Sequence, residues 1–254
     1  MPAFSANLGF LWQEHSLAKA IRAAHAAGFD AVECHFPYQE PLTDVRQALE
    51  STGFSMLGLN TIRGPLKAGL AALPDRISEA RQAIDQAFTY GSQIGAKNVH
   101  VMAGKTSGSS ASTTYLENLR YASDVASRHN MSVLIEPLNP LDMPGYFLRD
   151  TVHACELLQT LDCSNVRLMF DCYHVGRTEG QVIKRFNACY SFIGHIQFAS
   201  VPDRGPPDTG ELDYNHIFGA IDRSGWKQPL GAEYTVKGST EDTLSWMQSL
   251  DPTE

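Results

Sequence analysis

Three acids and one amide form a set able to bind a cation: Glu136, Asp171, Gln197 and Glu233. Each lies inside or directly after a short apolar run, in the strings VLIEP (133–137), RLMFDCYH (167–174), GHIQF (194–198) and LGAEY (230–234). An unpaired carboxylate left at the end of a buried apolar run carries a large desolvation cost. Three such groups brought together also repel one another, and a divalent cation removes both problems. Oxygen-dominated ligation suits Mg²⁺ or Mn²⁺ better than the thiolate and imidazole sets that select zinc. One acid alone could equally pair with an arginine or cap a helix. Four such residues at equivalent places favour the metal reading. His174 follows Asp171 by three residues and could serve as a ligand, a substrate donor or a packed core group; the substrate role is favoured. His195 precedes Gln197 by two, which in a strand puts both on one face, and is read either as a substrate contact or as a structural histidine. His100 and Asn60 occupy comparable places in earlier runs and are expected to reach substrate, whereas Glu33 is expected to orient a histidine or an arginine. His15, His25, His129, His153 and His216 fall outside the apolar runs and read as solvated or packing groups.

The elements that must position these residues are eight apolar runs, at 4–11, 31–35, 55–60, 98–103, 132–138, 166–173, 192–199 and 230–234. Several are apolar almost throughout, as parallel strands covered by helices on the outside tend to be. Helical periodicity is expected over 17–27, 78–94, 113–128, 151–161, 181–188, 214–223 and 240–250. Gly28, Gly53, Gly95 and Gly225 stand between a helix and the next run, where glycine suits a left-handed helix end. Regular strand–helix alternation is the α/β signature. The number of units, the lack of a glycine-rich phosphate fingerprint after the first run and the length of 254 residues predict a closed (β/α)8 TIM barrel of a single domain spanning 1–254, rather than an open sheet. In such a barrel, function collects at the C-terminal ends of the strands, which is where the four ligand candidates lie.

Composition narrows the partners. With 20 basic and 28 acidic residues, the formal net charge is −8, and no basic stripe suits a nucleic acid. No stretch approaches the roughly 18 apolar residues of a membrane span, and no signal-like start is present. The five cysteines have no CxxC spacing and read as free thiols. A cytoplasmic protein acting on a small molecule is expected, with the oligomeric state left open.

The strings FDAVECHFPY (29–38), VHVMAG (99–104), IEPLN (135–139) followed by MPGYF (143–147), FDCYH (170–174), GHIQ (194–197), PDRGPPDTGELDY (202–214) and GAEY (231–234) resemble the hydroxypyruvate isomerase family. That family sits in the xylose-isomerase-like barrel superfamily, and the resemblance runs from about residue 4 to residue 250. It implies a metal-dependent isomerase on a (β/α)8 barrel that interconverts hydroxypyruvate and tartronate semialdehyde through an enediolate. The family's four ligands fall on the same Glu136, Asp171, Gln197 and Glu233, with Glu136 and Glu233 as the proton-transfer pair. Around them, Arg204 is expected to clamp the carboxylate of a hydroxy-oxo acid, and Glu211 to hold that arginine or close over the pocket. Trp12 and Phe36 are expected as apolar walls. Two cations frequent in the family are replaced here, by Thr235 after the last Glu-Tyr and by Leu141 before Asp142. Alternatives within the superfamily are a 2-oxo-tetronate isomerase and a ketose 3-epimerase. Outside it stand an endonuclease-IV-like nuclease, which the acidic charge opposes, and a non-catalytic sugar-acid binding protein.

Overall fold

All eight apolar runs contain a parallel strand, and each strand is shorter than its run. The structure, a computed structural model, describes residues 2–249. The strands are β1 (Phe4–Asn7), β2 (Ala31–Glu33), β3 (Gly58–Asn60), β4 (Asn98–His100), β5 (Ser132–Ile135), β6 (Val166–Asp171), β7 (Ile193–Phe198) and β8 (Leu230–Ala232). They lie in the order β2-β1-β8-β7-β6-β5-β4-β3. The ring closes between β2 and β3 through a parallel bridge, Val32 to Met56. Backbone N–H groups of Leu57, Cys34 and Asn60 donate across that seam to Val32, Gly58 and His35 at 2.7, 3.0 and 2.8 Å. The expected single-domain (β/α)8 barrel is therefore the architecture.

Around the ring run α1 (Leu17–Ala26), α2 (Leu42–Thr52), α3 (Ile77–Gln93), α4 (Ser109–Arg128), α5 (Thr151–Leu161), α6 (Cys172–Thr178), α7 (Val182–Cys189), α8 (Tyr214–Arg223) and α9 (Trp246–Ser249). None of the described helices is long and apolar enough to cross a membrane. Helix α2 was not among the expected elements. Its buried stripe is only Val45, Ala48 and Leu49, too few apolar positions to stand out. Helix α6 begins inside the run expected to be strand through 173. Asp171 ends the strand by capping the helix, its carboxylate accepting the Tyr173 backbone N–H at 2.8 Å. The helix expected over 240–250 is two short pieces, a 3-10 turn at Glu241–Thr243 and α9, and residue 250 lies outside the described residues. The chain bends at Leu244–Ser245, between the two pieces, and the segment is fastened at its start by Thr240 Oγ1, which accepts the Trp12 backbone N–H at 2.8 Å. The bend lets Trp246 bury fully against Phe4, Phe29 and Phe198.

Two layers follow from strand alternation. Outward residues such as Val99, Val133, Leu168 and Ile196 pack under the helices in the main core. Inward, the barrel is polar where it nears the C-terminal mouth. Asn7, Glu33, Asn60, His100, His195 and Gln197 surround a space of about 10 Å³ with Leu134 and Met169. The close approach of Gly231 makes room for them. A Cβ there would lie 2.5 Å from Glu33 Oε1, 2.9 Å from Gln197 Cγ and 3.0 Å from His195 Nε2. The five cysteines are free, and Cys155 and Cys189 bring α5 and α7 together with their sulfurs 3.3 Å apart.

Phe198 sits at the centre of the outer aromatic cluster, with ring centroids 4.9, 5.4, 5.7 and 5.7 Å from Phe218, Trp246, Phe4 and Tyr214. Truncation there leaves a cavity that four large rings cannot easily fill. We expect Phe198→Ala to lower unfolding free energy by about 3–5 kcal/mol in denaturant titration.

Candidate active site

The barrel mouth opens into a pocket of about 310 Å³. Phe10, Phe36, Met102, Leu138 and Met143 supply its apolar walls, and Glu136, Asp142, His35, His100, His174, Arg204 and Glu233 its polar groups. Glu136 and Glu233 stand one residue beyond β5 and β8, so their carboxylates reach past the ladder into the mouth. Asp171 ends β6, and Gln197 lies opposite it in β7. All four are buried.

Glu233 is the most heavily bonded acid. Its Oε1 accepts from Asn7 Nδ2 at 2.8 Å, from His35 Nε2 at 2.9 Å and from Gln197 Nε2 at 3.4 Å. Its Oε2 takes the Arg204 guanidinium, which also approaches Asp171 Oδ2 at 3.5 Å. Burial pushes Glu233 up, but Arg204 and His35 overcome it and leave the group at about 2. Glu136 has no such support. Burial first, then the charges of Glu233 and Asp171, holds it well above the usual carboxylate range. Burial, only partly offset by Arg204, lifts Asp171 to about 7, and Glu233 adds to the rise. Groups forced so far from ordinary behaviour in a cleft are a mark of functional sites.

Several buried polar atoms there lack a hydrogen-bond partner among the described residues: Glu136 Oε1, Gln197 Oε1, His174 Nε2 and both ring nitrogens of His100. Gln197 donates its amide N–H₂ to Glu33 Oε1 at 3.0 Å, which leaves its carbonyl oxygen free. Buried polar atoms are normally paired, so unpaired oxygens beside crowded carboxylates suit a hard cation. Glu136, Asp171 and His174 can bring ligand atoms within 4.8 Å of one another. The tautomer of His174 argues for a different part. Its Nδ1 accepts the Asn139 backbone N–H at 3.2 Å, so the neutral ring carries its proton on Nε2. Burial, with Arg204 adding to it, keeps the ring neutral by lowering its pKa to about 3. That N–H faces Glu136 Oε1 and Asp171 Oδ2 at 3.7 and 3.6 Å. His174 thus donates to whatever lies between the two acids. Oxygen donors are then left to Glu136, Asp171, Gln197 and Glu233, and that set fits Mg²⁺ or Mn²⁺.

The other expected residues divide. Asn60 and His100 line the pocket, with His100 Nδ1 3.6 Å from Glu136 Oε2. Phe36 is a wall. His195 is not: its Nε2 is bound to Glu33 Oε2 at 2.5 Å, beneath the mouth. Glu211 is exposed, does not line the pocket and forms no ion pair with Arg204. Arg204 is held instead by Glu233 and Asp171, with Phe10 and Tyr173 packed 4.8 and 4.9 Å from its guanidinium carbon. A tight turn delivers it: Arg204 N–H donates to Ser200 O, and Thr235 N–H to Arg204 O, at 2.9 and 2.7 Å. Trp12 is a core residue, its Nε1 donating to Glu241 at 2.6 Å. Sequence reasoning overlooked Asn7 and Asn139 as site residues and, though it placed His35 at the end of the second run, gave it no role. His35 carried a signal, because it follows Glu33 by two residues and so shares its inward face.

The model of the xylose isomerase-like TIM barrel family matches residues 21–250. The chain belongs to that family. It is 38% identical over 255 residues to a 2-oxo-tetronate isomerase of Cupriavidus necator, with 98% of each chain covered. It is 34% identical over 254 residues to the hydroxypyruvate isomerase of Escherichia coli, with 97% of this chain and 98% of that one covered. A solved Brucella melitensis structure described as an AP endonuclease, family 2, superposes with a TM-score of 0.93 at 34% identity, covering 98% and 99% of the two chains. The protein is an enzyme of the isomerase type, acting on a small molecule.

Glu33 is the anchor beneath the mouth, accepting from Asn7 Nδ2 at 3.0 Å as well as from Gln197 and His195. Glu33→Ala strands three buried donors at once. We expect a loss of about 3 kcal/mol in unfolding free energy, read by urea titration. Stability equal to that of the parent would show that the network carries no weight.

Proposed function

We propose that the protein is a metal-dependent isomerase of small hydroxy-oxo acids, interconverting hydroxypyruvate and tartronate semialdehyde through an enediolate. The observation that carries this reading is the close approach of Glu136 and Asp171, whose ligand atoms lie within 4.8 Å of each other, with the unpaired amide oxygen of Gln197 in the strand opposite Asp171 and Glu233 at the pocket wall. Glu136, Asp171, Gln197 and Glu233 would hold one Mg²⁺ or Mn²⁺. When bound, such a cation acts as a Lewis acid that stabilises negative charge on the substrate oxygens.

The protein's own groups account for the proton movements. Isomerisation removes a proton from the hydroxymethyl carbon and returns one to the adjacent carbon, while the hydroxyl oxygen loses its proton and the former carbonyl oxygen gains one; two carboxylates at the same small substrate can divide the carbon-proton steps between them. Glu136 and Glu233 come from β5 and β8, on different sides of the mouth, and each reaches the pocket. His174 directs its Nε2–H between Glu136 and Asp171, where it can donate to a substrate oxygen gaining charge. The apolar walls of Phe10, Phe36, Leu138 and Met143 limit water around the intermediate.

A four-carbon 2-oxo acid is the second reading, favoured by the 38% identity to a 2-oxo-tetronate isomerase. It asks for the same transfer between carbons 2 and 3 and adds one hydroxymethyl group at carbon 3. A nuclease reading, prompted by the name of the Brucella relative, sits poorly with a net charge of −8.

The test is solvent deuterium incorporation into hydroxypyruvate, followed by NMR. Exchange should require added Mg²⁺ or Mn²⁺ and stop with a chelator. It should fall about 10³-fold or more in Glu136→Gln and in Glu233→Gln. Full exchange in the chelated protein, or undiminished exchange in both variants, would remove the proposed catalyst.

A further inference from the structure

An anionic substrate entering this pocket meets Glu136, Asp142 and Glu233 in an acidic protein, so its carboxylate needs a local cation. Arg204, the expected clamp, is committed to Glu233 and Asp171. The loop after β3 supplies replacements. Arg63 and Lys67 both line the pocket, and neither has an ion-pair partner among the described residues.

The loop holds them there. Its two ends are fastened to β4 and the segment after it: Thr61 N–H donates to His100 O at 2.9 Å, and Ala72 N–H to Ala103 O at 2.7 Å. Gly69, at φ +96°, lies so close to this segment that a Cβ would sit 2.3 Å from Met102 O. Between these anchors the tip folds on itself, with Lys67 N–H donating to Gly64 O and Gly69 N–H to Arg63 O at 3.1 and 2.8 Å. The Arg63 guanidinium lies 4.5 Å over the ring of Phe36, itself a pocket wall. That stacking leaves the guanidinium edge, with its N–H donors, available to an anion.

We infer that Arg63 and Lys67 form the binding site for the substrate carboxylate, placing it at the pocket mouth with carbons 2 and 3 directed inward at Glu136 and Glu233. The inference rests on the isomerase reading above and deepens it. It sets the substrate class as small 2-oxo or 2-hydroxy acids, because a neutral ketose has nothing for the two cations to hold. It applies equally to the three- and four-carbon acids, which share the same carboxylate end.

The experiment compares the protein loaded with Mn²⁺ and its Arg63→Met, Lys67→Met and double variants. All substitutions are at exposed loop positions and retain an apolar stem. Calorimetry with glycerate, an inert hydroxy acid, should show binding weakened about tenfold by each single change and about 100-fold by both. The KM for hydroxypyruvate should rise in parallel, with kcat held within about threefold and the salt dependence of kcat/KM flattened. Equal glycerate affinity in the parent and the double variant, or no glycerate binding in the parent, overturns the clamp. Deuterium exchange separates this outcome from the fate of the isomerase reading. Exchange in the parent with an unchanged KM in the double variant sinks only the clamp. Glycerate binding that depends on both cations, without exchange in the parent, sinks only the isomerase.

Discussion

Mutual repulsion among buried carboxylates is the constraint around which this barrel is built. Glu33, Glu136, Asp171 and Glu233 are all buried at one end of the ring. Such a cluster persists only if opposite charge or dense hydrogen bonding offsets both desolvation and repulsion. The chain meets the demand unevenly. Glu33 and Glu233 accept from Asn7, His35, His195, Gln197 and Arg204, and in Glu233 only Oε2, paired with Arg204 alone, could exchange its partner for a cation. Glu136 receives almost none, with His100 and His174 no nearer than 3.6 and 3.7 Å. The unmet demand is concentrated at Glu136 Oε1 and Gln197 Oε1, beside Asp171, and this is where a cation and a substrate would complete the structure.

The barrel's geometry explains how so much charge can be tolerated. Alternation sends apolar residues outward under the helices and polar ones inward near the mouth, so the hydrophobic core and the charged site occupy different layers. Stability comes from the outer layer, including the aromatic group around Phe198 and Trp246. The inner layer can then carry unpaired groups at a local cost. Gly231 shows how tight this arrangement is, since even one methyl group would collide with Glu33 and Gln197.

Charge placement also divides the mouth between a paired inner cation and two unpaired outer ones. Arg204 is drawn inward by two acids and braced between Phe10 and Tyr173. It neutralises part of the site and has little freedom to follow a ligand. Arg63 and Lys67 stand on an exposed tip whose base is pinned to the β4 side of the barrel. Cations on a loop can change without disturbing the acids below.

The order of the strands and the placing of three acids and an amide at their ends were readable from the chain itself, because their signals are local. Apolar runs mark strands covered on both faces, and Glu136, Asp171, Gln197 and Glu233 stand where those runs end. The i, i+2 spacing of His195 and Gln197 correctly placed both on the inner face. Other features depended on contacts distant in sequence. Helix α2 was missed because its apolar stripe is short, and the 240–250 helix was overestimated because the segment breaks at Leu244–Ser245, where Trp246 turns into an aromatic cluster built from Phe4, Phe29 and Phe198. Likewise, nothing local shows that His195 spends its Nε2 on Glu33, that Arg204 is captured by Glu233, or that Glu211 remains outside. Periodicity tells which face a side chain occupies. Which partner it meets there is decided only when the ring closes and brings strands from opposite ends of the chain together.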